Sequence, residues 1–264
     1  MIDSHCHLEQ KEFDSILDKT IENCKNEGIK AIITCCAHIK DFEKTIEIVK
    51  KFPNYVFATA GIHPEYISEI KESEKDEYLE KIKKEKIVGI GEIGLDYFWC
   101  KDKDLQRKQR ELFLELLEFS KDLKKPVVIH IRGDKSFPDI AFQDAFKILE
   151  DIFPEKVLLH LFSAKKFINR VLENNWYISV GPLIANSKTI KKIVRDMPLE
   201  KILLETDSPW FGGKDEKGNF LIGTPINIKI PAKEIAEVKK IGFEEVWFQT
   251  GKNSNEFYNL GFDM

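Results

Sequence analysis

The sequence has few cysteines and no closely spaced pair of them. Its five cysteines form no C-x-x-C motif, and an odd number cannot all pair within one chain. A chain of 264 residues can also bury a core large enough to fold without disulfides. These features exclude a disulfide scaffold and are typical of a reducing compartment, so we predict a cytoplasmic protein.

Long apolar segments are missing as well. No run approaches the ~20 residues that a membrane-spanning helix needs. The first residues carry an aspartate and two histidines, where a secretory signal would have basic residues followed by an apolar stretch. The sequence therefore predicts neither secretion nor a membrane partner.

The chain also lacks an excess of positive charge. Its 41 Lys and Arg residues and 45 Asp and Glu residues give a formal net charge of −4. Such a chain has no overall attraction for polyanions, which disfavours binding to long duplex DNA as its main role. Any contact with nucleic acid would require a local basic surface.

Short apolar, β-branched segments recur along the chain, separated by segments with helical spacing. The predicted strands cover residues 2–8, 30–37, 56–64, 86–96, 126–131, 156–162, 176–181 and 201–209. Several are apolar almost throughout, as in strands of a sheet covered on both faces. Eight strands in about 250 residues favour an α/β fold of the (β/α)8 TIM-barrel type over an open doubly wound sheet, which usually has fewer strands. No repeat or linker divides the chain, so we expect one domain over residues 1–264.

Three other segments support specific predictions. Residues 104–125 have the clearest helical stripe of leucines, and residues 13–28 have a second apolar stripe that ends at a glycine. The charged segment 71–86 is typical of the solvated face of a helix. The loop over residues 208–225 is long, contains several glycines and could fold over the end of the last strand.

The six histidines are not scattered. His5 and His7 lie two residues apart, so in an extended strand their side chains share one face, where they could bind one metal ion. Together with His63, His130 and His160, they fall at or near the carboxyl ends of predicted strands. In a barrel these ends converge on one rim, so the pattern predicts a metal site there.

Two carboxylates meet the same criterion. Glu92 lies in a glycine-rich strand segment that allows close approach of neighbouring backbone. Asp207 follows the apolar run of the last predicted strand, where a buried acid is costly unless it is paired or bound to metal. Both are better explained as metal ligands than as core residues.

Six motifs together resemble the TatD family of metal-dependent hydrolases, the TatD-type deoxyribonucleases of the amidohydrolase superfamily. They are DSHCHL at the start of the chain, GIHPE (61–65), GEIGLDY (91–97), VIHIR (128–132), LLHLFS (158–163) and LLETDSP (203–209). They occur in the order found in the family and span the predicted barrel.

The resemblance implies a pair of divalent ions, with Zn, Mn or Mg as the candidates. It implies that His5, His7 and Asp207 hold the first ion, that Glu92 bridges the two, and that the second is held by His130 and His160. Two adjacent ions can polarise a phosphoryl oxygen and generate hydroxide from bound water. A carboxylate touching both metal and water is placed to take the water's proton, so Asp207 is the candidate base and Glu92 the second catalytic residue.

Three residues are expected on the substrate side of the site. His63 and Arg132 resemble family positions that meet the scissile phosphate, and a guanidinium fork suits a pair of phosphate oxygens. Glu205 shares a strand face with Asp207 and could orient a ligand or a water, although a buried acid paired with a lysine is equally consistent. Trp210 and Phe211 receive no role, because base stacking and packing explain them equally well. His38 has no counterpart in the family and Gly133 stands where an acid is expected after Arg132, so His38 and Asp134 receive none either.

The resemblance implies a hydrolase of DNA, acting as a 3′–5′ exodeoxyribonuclease on single strands or fragments. It suggests neither a protein partner nor an oligomer, so a monomer is expected. Hydrolysis of a small amide, ester or lactone is the alternative, because a fold does not determine a substrate. A binding protein without catalysis is a third option, which the complete set of ligand types disfavours.

Overall fold

Eight parallel strands and the helices between them make up residues 1–263, the part of the chain that this computed structural model describes. The strands are β1 (Ile2–Cys6), β2 (Ala31–Cys36), β3 (Val56–Ala60), β4 (Gly89–Asp96), β5 (Val127–Arg132), β6 (Val157–Leu159), β7 (Tyr177–Val180) and β8 (Ile202–Leu204). The helices are α1 (Leu17–Asn26), α2 (Phe42–Lys51), α3 (Glu72–Lys84), α4 (Lys103–Asp122), α5 (Pro138–Ile152), α6 (Ile168–Glu173), α7 (Lys188–Asp196), α8 (Lys229–Lys239) and α9 (Phe243–Tyr258). All predicted strands are therefore present, and several are shorter than predicted.

The strands have the same order in the sheet as in the sequence, and the sheet closes on its first strand. Neighbouring strands pair in parallel from β1 to β8. The segment after β8 then contacts β1, where the backbone N–H of Asp207 donates to the carbonyl of His5 at 3.0 Å and the N–H of His7 donates to the carbonyl of Ser208 at 2.7 Å. The sheet is thus a TIM barrel, as predicted, and the open doubly wound alternative is wrong.

A buried carboxylate reinforces this closure. Asp3 is fully buried, and it accepts hydrogen bonds from the Thr206 hydroxyl at 2.6 Å, the Thr206 N–H at 3.1 Å and the His5 N–H at 3.3 Å. Burial raises the pKa of Asp3 well above its usual value, even though these hydrogen bonds act in the opposite direction. These hydrogen bonds therefore replace the contacts with water that the Asp3 side chain loses on burial.

Replacing Thr206 by valine should destabilise the barrel. The substitution keeps the β-branched shape but removes the hydroxyl from Asp3, and leaving a buried polar group without its partner costs about 1–3 kcal/mol. Denaturant unfolding measures the change in the free energy of unfolding. Thr206→Ser keeps the hydroxyl and is expected to recover most of the stability; equal stability of the valine variant and the wild type would contradict the role of Asp3.

The interior of the barrel is apolar at its base and polar at its mouth. A small inner core combines strand residues with two aromatic residues of α9: Ile2, Ala31, Ile33, Val128, Leu158, Leu203, Phe257 and Tyr258. Because side chains alternate along a strand, the residue two positions after such a core residue faces the same interior. This alternation places His130 above Val128, His160 above Leu158 and Glu205 above Leu203.

The helices cover the outside of the barrel. Helix α4 confirms the prediction over 104–125, and its residues Leu112, Leu116 and Leu117 are buried. Helix α1 is shorter than the stripe over 13–28, because a 3-10 turn precedes it. The charged segment 71–86 forms α3, and most of its residues are exposed, as predicted. Helix α9 packs against β8 and β1, the two strands at which the barrel closes.

The long loop over residues 208–225 lies at the carboxyl end of β8. Within it, Lys214 and Phe220 form an antiparallel bridge, and the loop ends at a 3-10 turn that begins at Pro225. In the described part of the chain, no helix has both the length and the apolar composition needed to cross a membrane.

Candidate metal centre

Histidine and carboxylate side chains meet inside the barrel mouth. Strands β1, β4 and β5 supply His5, Glu92 and His130. His7 and His160 follow directly after β1 and β6, and His63 and Asp207 lie in the segments just after β3 and β8. The sequence places these residues far apart, and the barrel brings them together, as the pattern of histidines at strand ends predicts.

A first group of donor atoms surrounds one point. His5 Nε2 lies 3.2 Å from His7 Nε2, 3.4 Å from Glu92 Oε2 and 3.6 Å from Asp207 Oδ1. His7 Nε2 lies 3.5 Å from Asp207 Oδ1 and 3.9 Å from Glu92 Oε2. Four donors around one tetrahedral Zn²⁺ at about 2.0–2.1 Å lie about 3.3 Å from one another. These four side chains therefore fit a divalent cation.

A second group of donors faces the other oxygen of the same carboxylate. Glu92 Oε1 lies 2.7 Å from His130 Nδ1 and 3.6 Å from His160 Nε2. One carboxylate thus presents Oε2 to the first group and Oε1 to the second. Two divalent cations that share a bridging ligand require this arrangement of donors.

Local irregularities in two strands position Glu92 and His5. In the pairing of β4 with β5, Gly91 and Glu92 together face one residue, and in the pairing of β1 with β2, Ser4 and His5 do the same. Such a bulge redirects a side chain and is common near functional sites. Gly94 allows β4 to approach β5, because a Cβ atom there would lie 2.0 Å from the carbonyl oxygen of His130.

His63 lies at the centre but is oriented as a hydrogen-bond donor. The backbone N–H of Glu65 donates to Nδ1 of His63 at 3.2 Å, so the ring proton is on Nε2. Nε2 lies 3.6 Å from Glu92 Oε1. Burial, together with the nearby His130, lowers the pKa of His63 to about 3, so the ring is neutral near pH 7. A neutral ring with its N–H directed into the mouth suits a contact to an anionic oxygen.

Carboxylates lie behind three of the histidines. Glu9 Oε1 is 3.1 Å from His7 Nδ1, Asp96 Oδ2 is 3.0 Å from His130 Nε2, and Glu205 Oε2 is 2.9 Å from His160 Nδ1. Such contacts hold a ligating imidazole in one tautomer and orientation. Glu205 is fully buried, and its other oxygen accepts from the Leu161 N–H. It therefore lies behind His160, in a position to orient that ligand as one of the two predicted roles requires, and not on the substrate side.

Sequence reasoning missed Glu9 and Asp96. The spacing His7-x-Glu9 repeats the two-residue period that pairs His5 with His7, so it offered a signal for Glu9. Asp96 belongs to the GEIGLDY motif, but its partner His130 lies on the next strand, 34 residues away. Only the register of β4 against β5 brings the two together.

The charges in the mouth favour cations. Burial alone would raise the pKa of Glu92, but the surrounding imidazoles hold it well below its usual value. Burial would lower the pKa of His130, but its bonds to Asp96 and Glu92 raise it to about 9. The pKa of His160 rises to about 10 in spite of burial, because Glu205 and Glu92 lie beside it. The buried carboxylates therefore favour positive charge in the mouth.

A thiol also lies among these donors. Cys35 in β2 is near His5 and Glu92 and is fully buried. Burial raises the pKa of Cys35 well above its usual value, which favours the neutral thiol over the thiolate.

Replacing Asp96 by asparagine should weaken the centre without unfolding it. The amide oxygen can keep the bonds that Oδ1 accepts from the Phe98 and Trp99 N–H groups, but the negative charge beside His130 is lost. Removing such a partner typically lowers metal affinity or activity by about 10- to 100-fold. Metal titration and kcat/KM measure the effect, and Asp104→Asn on the exposed face of α4 is the matched control. Unchanged values for the Asp96 variant would rule out its orienting role.

The remaining candidates lie around the rim. The Arg132 guanidinium stacks on Phe98, with Cζ at 3.9 Å from the ring centroid. Trp210 contacts His7 edge to face at 4.8 Å between centroids, and Phe211 follows it in the loop. Two others lie outside the donor groups: His38 Nδ1 accepts from the Lys40 N–H, and Asp134 pairs with Lys101.

Comparison with known families and proteins gives a consistent result. The model of the family described as TatD related DNase matches residues 2–259. Human deoxyribonuclease TATDN3 is 30% identical over 269 residues, covering 98% of this chain and 94% of the relative. An uncharacterized metal-dependent hydrolase of Methanocaldococcus jannaschii, MJ1582, is 32% identical over 263 residues, covering 97% of this chain and 96% of the relative.

Solved structures share the fold. The TatD homologue YJJV of Escherichia coli superposes with a TM-score of 0.85 at 20% identity, covering 98% of each chain. A TatD-family hydrolase of Entamoeba histolytica gives a TM-score of 0.83 at 23% identity, covering 98% of this chain and 97% of the other. At such identities the likeness supports the barrel alone.

Proposed function

Since this chain belongs to the TatD-related DNase family of metal-dependent hydrolases, we propose that it hydrolyses phosphodiester bonds of DNA, removing nucleotides from the 3′ ends of single strands. We propose further that residues 1–264 act as one catalytic domain and as a monomer. The observation that carries the proposal is the position of Glu92, whose two carboxylate oxygens face two separate groups of donors.

In this proposal two divalent cations occupy the mouth. His5, His7 and Asp207 would hold one, His130 and His160 would hold the other, and Glu92 would contribute an oxygen to each. A set rich in imidazole suits zinc or manganese, whereas magnesium prefers oxygen ligands, so all three are to be tested. When bound, such ions polarise a phosphoryl oxygen and make a water molecule more acidic.

Separate residues around the proposed metal positions accept the proton and bind the phosphate. Asp207 accepts the proton of the attacking water, because its carboxylate points into the first donor group. The Nε2–H of His63 donates to an oxygen of the scissile phosphate. Arg132, held flat on Phe98, binds a phosphate at the rim, where a guanidinium can contact two oxygens at once. The human relative's name, deoxyribonuclease, supports DNA as the substrate.

An assay with end-labelled DNA tests the proposal. Purified protein loaded with Zn²⁺, Mn²⁺ or Mg²⁺ is incubated with single-stranded and duplex oligonucleotides labelled at either end. We expect release of mononucleotides from the 3′ end of single strands, and loss of that release when a chelator is added. Hydrolysis of a panel of esters, amides and lactones with no cleavage of DNA would replace this function with the small-molecule alternative.

A further inference from the structure

The loop after β4 carries an exposed tryptophan beside the metal centre. Trp99 is 61% exposed, and its ring meets Phe98 edge to face with 4.8 Å between centroids and 86° between planes. The backbone N–H groups of both residues donate to Asp96 Oδ1 at 2.9 Å. The backbone beneath the exposed indole is therefore held in place by a buried carboxylate.

The same carboxylate links this tryptophan to the donors. Asp96 Oδ2 lies 3.0 Å from His130 Nε2, and His130 Nδ1 lies 2.7 Å from Glu92 Oε1. In addition, the Tyr97 N–H donates to the carbonyl of Arg132 at 2.7 Å, which fixes the loop to the end of β5. The contacts through Asp96 and His130, and the hydrogen bond between Tyr97 and Arg132, thus fix the backbone of this loop relative to the metal donors.

Cations gather around this aromatic pair although the whole chain is acidic. Arg132 Cζ lies 3.9 Å from the Phe98 centroid and 5.5 Å from the Trp99 centroid, and Lys135 Nζ lies 5.4 Å from the Phe98 centroid. Lys101 is also 5.4 Å from the Phe98 centroid, where it pairs with Asp134. Aromatic faces next to cations are the combination that binds single-stranded nucleic acids.

We propose that Trp99 is the stacking site for an unpaired nucleobase that adjoins the scissile phosphate. This inference rests on the proposed function and names the part of the substrate that the rim recognises. Stacking requires a free face of the base, which a base inside a duplex does not offer. The site therefore selects single strands or frayed ends, and the cations beside it hold the adjoining phosphates.

The first test separates binding from turnover. We expect Trp99→Ala to raise KM for a single-stranded oligonucleotide about tenfold, within the range for the loss of one stacked base, and to change kcat much less. Trp99→Phe keeps an aromatic face and should recover most of the loss. Phe248→Ala removes an aromatic side chain that is 51% exposed on α9 and serves as the matched control.

Abasic substrates identify the contact. Two abasic oligonucleotides are compared with the intact strand. One lacks the base of the last nucleotide, and the other lacks the base of the next-to-last nucleotide. For one of them, wild type and Trp99→Ala should have the same KM, because the stacking partner is already absent. If the alanine variant loses the same factor on every substrate, or loses nothing on the intact strand, the stacking site is refuted.

A binding measurement keeps this inference distinct from the proposed function. Fluorescence anisotropy of a labelled single-stranded oligonucleotide gives a Kd without any cleavage, and we expect the Kd to rise with Trp99→Ala but not with Phe248→Ala. Tight binding that depends on Trp99, without cleavage under any metal, would overturn the proposed function and support the stacking site. Cleavage with a Kd independent of Trp99 would overturn the stacking site alone.

Discussion

Replacing Glu92 by glutamine is expected to lower kcat/KM for DNA hydrolysis by about a thousandfold or more. Glutamine has nearly the same shape, but its amide nitrogen has no lone pair to offer a cation. One of the two donor groups would therefore lose the oxygen that Glu92 presents to it. The mouth would also lose the negative charge that the imidazoles surround. The loss should appear mainly in kcat.

The measurement for Glu92→Gln combines kinetics with metal content. Atomic emission gives the number of ions bound per chain, which we expect to fall, and circular dichroism shows whether the fold is preserved. Glu69→Gln is the matched control, because Glu69 is exposed and lies beside His38, outside the donor groups. A folded Glu92 variant that binds both ions and keeps the full rate would end the case for a bridging carboxylate.

Replacing Asp207 by asparagine should reduce kcat by about 10²- to 10⁴-fold, the usual contribution of a positioned base. Asp207 has a φ of +51°, a left-handed conformation that asparagine tolerates better than most other residues with a side chain. The substitution therefore removes the charge and the proton acceptor while the backbone stays unstrained. It tests the chemistry of the side chain and not the local fold.

The pH profile distinguishes a role of Asp207 as proton acceptor from a role in metal binding alone. Burial raises the pKa of this carboxyl, but His7 and the other imidazoles around it lower the pKa by more, so the group is ionised at neutral pH. If it accepts the proton, the rate falls in acid as the carboxylate becomes protonated, and the variant loses this acid limb. Asp151→Asn, on the exposed end of α5, should behave as wild type. A variant with the wild-type profile and lowered metal content would restrict Asp207 to binding.

The barrel follows from the sequence because its strands are buried on both faces and leave an uninterrupted apolar pattern. The positions of His130 and His160 follow as well, since both stand two residues after an inner core residue. The ends of the strands were harder to predict. Strands β6 and β8 stop at Leu159 and Leu204, earlier than predicted, and the positive φ values at Leu161 and Asp207 show the chain turning there.

The finer geometry of the site could not be predicted. The bulges that redirect His5 and Glu92 depend on how β1 and β4 pair with their neighbours, and no local pattern marks them. The same holds for Asp96, whose role depends on the register with β5. His63 was predicted at the site, but its orientation as a donor depends on a backbone contact with Glu65 that only the folded loop supplies.

The closure of the barrel has a consequence for the order of events during translation. Asp3 and Thr206, which join the first and last strands, are separated by 203 positions in the chain. His5 and His7 therefore leave the ribosome long before Asp207, the donor that completes their group. Contacts of such long range form late in folding. The nascent polypeptide thus lacks a complete first donor group until nearly all of the barrel has been made.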